Sequence, residues 1–278
     1  MLENNLKVKR ILFFDSGVGG LSICEAVKKL NPDIEPLYLF DNECFPYGEK
    51  SEEFLIKRVD NILQQAVKSF NLSGVVVACN TASTVALPSL RDHISIPIIG
   101  VVPAIKPAAV LSKKKIIALL ATPGTVKRKY TDELINKYAN GCKVIKLGNA
   151  ELARIAEKRL TSGSVDELKV ASVLKPLLDL DKNNCPDVIV LGCTHYPFLS
   201  DVIKKLLPSC SLIDAGDAIG KRVEVLFEME KMRPVCVKKI ESRAYYIGRL
   251  LNYEDRLLMF KNFGFNSLEE FKLRKITF

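Results

Sequence analysis

The sequence predicts an α/β protein built from two similar domains with mainly parallel sheets flanked by helices. Three observations predict it. Short runs of apolar, β-branched residues alternate with longer amphipathic stretches. Those short runs are apolar throughout, as strands covered on both faces must be. The alternation then restarts near Lys115, and two junctions echo each other: GVVVACNTAS from Gly74 and DVIVLGCTHYP from Asp187.

The elements follow in order. ILFFD (from Ile11) reads as a strand and GLSICEAVKKL (from Gly20) as a helix. PLYLFD (from Pro36) is a strand, and the long helix from Ser51 opens with a Ser cap and acids in its first turn, which favour the positive end of the helix dipole. GVVVACN is a strand followed by a helix from Thr81, and IPIIGVV (from Ile96) is a further strand. In the second half KIIALLA, KVIKLG, DVIVLGC and SLIDAG read as strands. The helices there start at Thr125, Ala150, Val165, Phe198 and Asp217, the first a single stretch through TVKRKYTDELINKYA.

Composition narrows the function. The chain has 278 residues, enough for two domains, and 48% are hydrophobic, enough for packed cores. The start is charged and lacks the apolar core of a signal peptide, and no apolar run approaches the ~20 residues of a membrane span. A soluble, cytoplasmic protein with no membrane partner is expected. Eight cysteines without any CxxC pair, and only two histidines, argue against both a disulfide framework and an ordinary zinc site. No metal is expected. The net charge of +9 fits a Lys-rich surface or attraction of a small anion. Nucleic acid is an unlikely partner, because the Lys113–Lys115 run comes with no nucleic-acid signature.

The chemistry concentrates at strand ends. Cys79 and Cys193 each end a strand just before an expected helix, where free N–H groups and the dipole stabilise a thiolate. Asn80 and Thr81 follow the first thiol, Thr194 and His195 the second. These short polar groups can hold a carboxylate, cap the helix, or do both. Asp15 and Ser16 end the first strand ahead of Gly17, Gly19 and Gly20. That spacing is neither a dinucleotide fingerprint nor a P-loop. It lets backbone approach a small ligand, with Asp15 as proton relay, electrostatic tuner or turn cap. Tyr47 and Gly48 lie in a turn-rich loop suited to folding over a ligand, and His93 is read as structural.

Taken together these residues resemble the glutamate racemases of the aspartate/glutamate racemase superfamily. The matching motifs are FDSGVGGLS (Phe14 to Ser22), FPYGEKS (Phe45 to Ser51), VVACNTAS (Val76 to Ser83), LLATPGTV (Leu119 to Val126) and LGCTHYPFL (Leu191 to Leu199), with a closing DAGDAIG (Asp214 to Gly220). The resemblance implies an active site in the cleft between two α/β domains, 1–101 plus 209–278 and 102–208. It implies cofactor-independent, two-base interconversion of L- and D-glutamate, for peptidoglycan synthesis, by Cys79 and Cys193. Asp15 would assist the first thiol and His195 the second. Substrate contacts would come from Asp15, Ser16, Tyr47, Gly48, Asn80, Thr81, Thr194 and His195. The stretch LGNAELARIAEKRL (Leu147 to Leu160) looks like the Gram-negative type, which puts Glu157 where the family has a functional acid. A muropeptide nucleotide activator and a homodimer are further implications. The rivals are a related aspartate or hydantoin racemase, a basic nucleic-acid-binding regulator, and a zinc hydrolase using Cys79, Cys193 and His195. The DSGVGG start favours the glutamate enzymes, because aspartate racemases usually open on a different glycine-methionine motif.

Overall fold

The structure is a computed structural model that describes residues 8–228 and 241–274. Among these residues the first half contains β1 (Arg10–Asp15), α1 (Leu21–Leu30), β2 (Glu35–Phe40), α2 (Glu52–Ser69), β3 (Gly74–Val77), α3 (Asn80–His93) and β4 (Ile98–Gly100). The second half runs through α4 (Ile105–Leu111), β5 (Ile116–Ala121), α5 (Pro123–Lys127), α6 (Lys129–Tyr138), β6 (Lys143–Gly148), α7 (Glu151–Ser162), α8 (Glu167–Leu178), β7 (Val188–Leu191), α9 (Ser200–Leu206) and β8 (Ser211–Ile213). The chain closes with α10 (Gly216–Leu226), β9 (Arg243–Tyr246), α11 (Tyr253–Asn262) and β10 (Ser267–Glu270).

Two sheets result, ordered β10-β9-β2-β1-β3-β4 and β6-β5-β7-β8, with every strand pair parallel. β1, β3, β5 and β7 are buried on both faces or nearly so. Packed cores lie on each side of each sheet. In both sheets the strand order reverses once, at β1 between β2 and β3 and at β5 between β6 and β7. Crevices at such switch points, beyond the carboxyl ends of the strands, are where open α/β sheets bind ligands. Asp15 and Cys79 lie at the first switch point, Thr122 and Cys193 at the second.

The structure departs from the sequence reading in four places. The expected helix from Thr125 is two helices, broken at Arg128, whose backbone is extended (φ −72°, ψ 136°). There the Arg128 side chain reaches across to Glu52 at 2.6 Å. The expected helix from Phe198 starts as a three-ten turn at Tyr196–Leu199, containing Pro197, before α9. β8 pairs with β7, so residues 211–213, expected with the first domain, belong to the second sheet. The chain rejoins the first half with α10, whose Ala215, Ile219 and Val223 pack in the core that α1 lines. Finally, α4, β9, β10 and α11 were not read from the sequence, β10 being a largely exposed edge strand.

α11 is docked by Phe260, fully buried and 5.6 Å from the rings of both Phe40 and Phe265. Phe260→Ala should therefore cost about 3–5 kcal/mol. Leu258→Ala, on the same helix but 60% exposed, should stay within about 0.5 kcal/mol. Urea denaturation of both variants checks this, and a small loss at Phe260 would mean α11 contributes little to the first core.

Candidate active site

Asp15 ends β1 with its carboxylate wholly buried. Its oxygens accept from the amides of Ser16 and Gly20, both at 2.7 Å, so the glycine-rich turn wraps the carboxylate. Burial pushes Asp15 up to about 6, against the pull of His195, a hydrogen bond from Cys79 and the two amides. Cys79 is the N-cap of α3, and its Sγ lies 3.9 Å from Ser16 Oγ. Burial pushes this thiol well above its ordinary range, and the negative charge of Asp15 adds to the rise. The amide of Ala82 opposes it. The expected stabilisation by the helix start is thus present but outweighed: desolvation favours the neutral thiol more than one amide favours the thiolate.

Cys193 follows β7, and only the three-ten turn comes after it, so the two thiols are not in equivalent settings. Its Sγ is 3.9 Å from His195 Nδ1. His195 Nε2 lies 2.8 Å from Glu157 Oε2. Burial alone would lower His195, but its contacts with Cys193 and Glu157 lift it well above the ordinary imidazole range. The same pairing drives Glu157 the other way. Burial would raise it, yet His195, Arg256 and the Val18 amide hold it at about 2. Glu157 Oε2 accepts from Val18 N at 3.0 Å, and Oε1 from Arg256 Nη1 at 2.9 Å. Gly19 N also lies 3.1 Å from His195 Nε2. With Glu157 ionised, the Nε2 proton belongs to the carboxylate contact.

These contacts explain the glycines of the first turn. A Cβ on Gly17 would come within 2.8 Å of Glu157 Oε2, and one on Gly19 would run into the His195 ring. The amino-terminal turn is thus shaped by residues from the other half. More contacts cross the cleft. Ser22 Oγ donates to Thr194 O at 2.8 Å, and the Phe45 ring lies 5.4 Å from His195. Thr81 Oγ1 meets Thr122 Oγ1 at 3.0 Å and Thr125 Oγ1 at 3.4 Å.

The structure brings Asp15, Ser16, Cys79, Asn80, Thr81, Cys193, Thr194, His195 and Glu157 together, all of them buried. Thr194 Oγ1 is 3.5 Å from Asp15 Oδ2. Asn80 Oδ1 is buried with no hydrogen-bond partner, an acceptor without a donor. Tyr47 is buried too, but its hydroxyl donates to Asp41 at 2.7 Å, and Asp41 also takes two bonds from Arg58. Tyr47 therefore braces the loop through Asp41. Gly48 packs against Thr122, where a Cβ would approach within 2.6 Å. His93, read as structural, pairs with Asp60 at 3.0 Å, away from the cleft. Cys24 and Cys210 are buried in the cores, and Cys236 lies outside the described residues.

Sequence reasoning missed Thr122, Thr125, Phe45 and Arg256 as site neighbours. Thr122 caps α5 ahead of Pro123, a legible helix start, and its second role towards Thr81 needed the fold. Arg256 gave no signal, because an arginine on a polar helix reads as a solvated face.

Two parallel sheets meeting at their carboxyl ends, with one thiol from each, form a site that can take a proton from one face of a carbon centre and return one to the other. The family model of the Asp/Glu/hydantoin racemases matches residues 21–222 of this chain. The glutamate racemase of Photorhabdus laumondii is 46% identical over 261 residues, 94% of this chain and 90% of that protein. That of Klebsiella pneumoniae is 44% identical over 264 residues, 95% and 92% of the two chains. Among solved structures, Escherichia coli glutamate racemase in complex with L-glutamate and the activator UDP-MurNAc-Ala superposes with a TM-score of 0.89. It is 41% identical and covers 97% of this chain and 100% of its own. The chain belongs to the Asp/Glu/hydantoin racemase family.

The raised Asp15 has a consequence for stability. Its folded value of about 6 exceeds its ordinary 3.8, so its contribution is unfavourable at neutral pH. That penalty shrinks as pH falls from the folded value toward the unfolded one. Asn at this position lacks the term. The stability difference, Asp15→Asn minus wild type, should be larger at pH 7 than at pH 5 by about 1 kcal/mol. Denaturant titrations at the two pH values measure it, and a pH-independent difference would show that Asp15 is not destabilised by burial.

Proposed function

We propose that this protein is a glutamate racemase that interconverts L- and D-glutamate with two thiols and supplies D-glutamate for peptidoglycan. The observation that carries this reading is the pairing of Cys79 and Cys193 across one buried cleft, each beside its own ionisable helper. Relatives 44–46% identical over most of the chain, all glutamate racemases, support the substrate.

The helpers carry opposite charge. Asp15, at about 6, is mainly a carboxylate at neutral pH and accepts from the Cys79 thiol. His195, lifted by Cys193 and Glu157, is an imidazolium that steadies a thiolate at Cys193. In this reading Cys79 starts as the acid and Cys193 as the base for L-glutamate. The Cys193 thiolate takes the α-proton of L-glutamate, forming an S–H bond and leaving the electron pair delocalised into the α-carboxyl group. The Cys79 thiol then gives its proton to the opposite face, and the enzyme is left in the mirrored protonation form. The reverse direction begins with Cys79. The unpartnered Asn80 Oδ1 and the Asp15 carboxylate suit an ammonium group. The hydroxyls of Thr81 and Thr194 and the amides at the start of α3 suit carboxylates. A cleft closed over these groups strengthens each contact.

Activation by a muropeptide nucleotide belongs to this reading, supported by the activator bound to the Escherichia coli enzyme. So does a cytoplasmic location, supported by relatives that are bacterial glutamate racemases. Among the described residues no helix is long and apolar enough to cross a membrane.

Incubated with L-glutamate in deuterated water without added cofactor, the protein should yield D-glutamate carrying one solvent deuteron at the α-carbon. Cys79→Ala and Cys193→Ala should each lose racemisation while staying folded. Replacing Cys24 or Cys142 should leave it largely intact. Mass spectrometry with polarimetry reads the outcome. Early product that retains the substrate hydrogen, or near-normal turnover in either alanine variant, would refute the two-base scheme.

A further inference from the structure

The helix α11 reaches the cleft through Arg256. Arg256 is only 14% exposed and reaches from α11 to α7, where its Nη1 meets Glu157 Oε1 at 2.9 Å. The other oxygen of the same carboxylate contacts His195 Nε2, and His195 Nδ1 faces Cys193 Sγ. One carboxylate is therefore held from both sides, by a guanidinium on one oxygen and an imidazole on the other. Glu157 is a side chain on a helix with three rotatable bonds. Without the guanidinium, only the Val18 amide and His195 itself, among the described residues, would fix its orientation.

We propose that Arg256 is a positioning residue for the Cys193 side of the reaction: it clamps Glu157 Oε1 so that Oε2 stays aimed at His195, and His195 at Cys193. This rests on the racemase reading given above. The charged and titratable groups facing the relay come from every element around it. Asp15 lies at the end of β1, Tyr38 on β2, Glu157 on α7, Arg256 on α11, and Cys193 beyond β7. Tyr38 is fully buried, feels the charges of Asp15 and Glu157, and stays a phenol that donates to Gly17 O. Arg256 is thus the cation that meets the Glu157 oxygen His195 does not touch. It helps keep Glu157 ionised while the charge on Cys193 changes during turnover. The Cys79 side has no comparable support, since Asp15 is fixed directly by backbone amides.

The test has two independent readouts. The chain has only two histidines, and His93 lies on the surface, so selective ¹⁵N-histidine labelling gives two resolvable rings. Wild type should show a downfield, exchange-protected Nε2 proton on His195, bonded to a carboxylate. Arg256→Met, which keeps an unbranched apolar stem, should lose that protected signal. Arg256→Lys, which keeps the charge, should retain most of it. The second readout uses β-chloro analogues of L- and D-glutamate, which lose HCl after a single deprotonation and so need one thiolate each. By the assignment above, Cys193 serves the L-analogue and Cys79 the D-analogue. Arg256→Met should slow elimination from the L-analogue by about ten- to a hundredfold, the scale of a displaced supporting group, and the D-analogue much less. Arg256→Lys should recover most of the loss. In a Glu157→Gln background the Met substitution should add little, because its partner is gone. If Arg256→Met does not fold, Arg256→Gln takes its place. A protected Nε2 proton unchanged in the folded variant would overturn the proposal, and so would equal slowing of both analogues. Wild-type protein that fails to racemise glutamate would instead sink the functional reading, and the histidine signal would still decide whether Arg256 holds Glu157.

Discussion

The buried contact between Glu157 and His195 constrains more of this structure than any other single interaction. Two ionised groups are removed from water, which is costly unless the remaining lone pairs and protons are satisfied. Here they are: Glu157 takes the Val18 amide and the Arg256 guanidinium as well as the imidazole. Each partner comes from a different segment, namely the turn after β1, the helix α11 and the turn after β7. The backbone around the pair must make room, and Gly17 and Gly19 do so because no Cβ fits against the carboxylate and the ring. Removing Glu157 would deprive both the imidazole and the Arg256 guanidinium of their shared partner, at a cost of about 3–5 kcal/mol.

The two halves of the site are unlike in ways that suit opposite protonation states. One thiol caps an α-helix and lies beside a carboxylate wrapped by backbone amides. The other precedes a three-ten turn and lies beside an imidazole held by a second carboxylate. A carboxylate stabilises a neighbouring thiol, whereas an imidazolium stabilises a neighbouring thiolate. Under the proposed reading, the asymmetry of the scaffold gives the free enzyme one acid and one base without a cofactor to divide the roles.

Much of this was legible in the sequence because parallel strands buried on both faces leave continuous apolar runs. ILFFD, GVVV and VIVL are of this kind, and the cysteines that follow two of them lie at chain positions where α/β sheets bind ligands. The echo between the two junctions misled in one respect. Both strands are followed by a cysteine, but after Cys193 a three-ten turn over Tyr196–Leu199 stands where the sequence suggested the start of an α-helix. β9 and β10 escaped because charged residues interrupt their short sequences, RAYY and SLEE, and β10 is an edge with one buried side chain. Arg256 escaped for a deeper reason. Its partner lies far away in the chain, and no local pattern distinguishes an arginine that completes a buried ion pair from one in solvent.

Under the proposed reading, closure of the cleft and alignment of the helpers are the same set of contacts. The bonds from Val18 to Glu157, Ser22 to Thr194 and Arg256 to Glu157 each join one half to the other, as does the threonine contact at Thr81 and Thr122. None of them can form while the halves are apart, so a separated Glu157 would face water and lose its hold on His195. Substrate must enter a site whose described polar groups are almost all within it and buried, which requires the halves to part. The helper on the Cys193 side is therefore assembled by closure, whereas Asp15 keeps its amide bonds from its own turn in either arrangement. Closure around the wrong ligand would leave Asn80 Oδ1 unpaired. A buried polar group left unpaired costs about 1–3 kcal/mol, enough to bias closure towards a ligand with an ammonium in the right place.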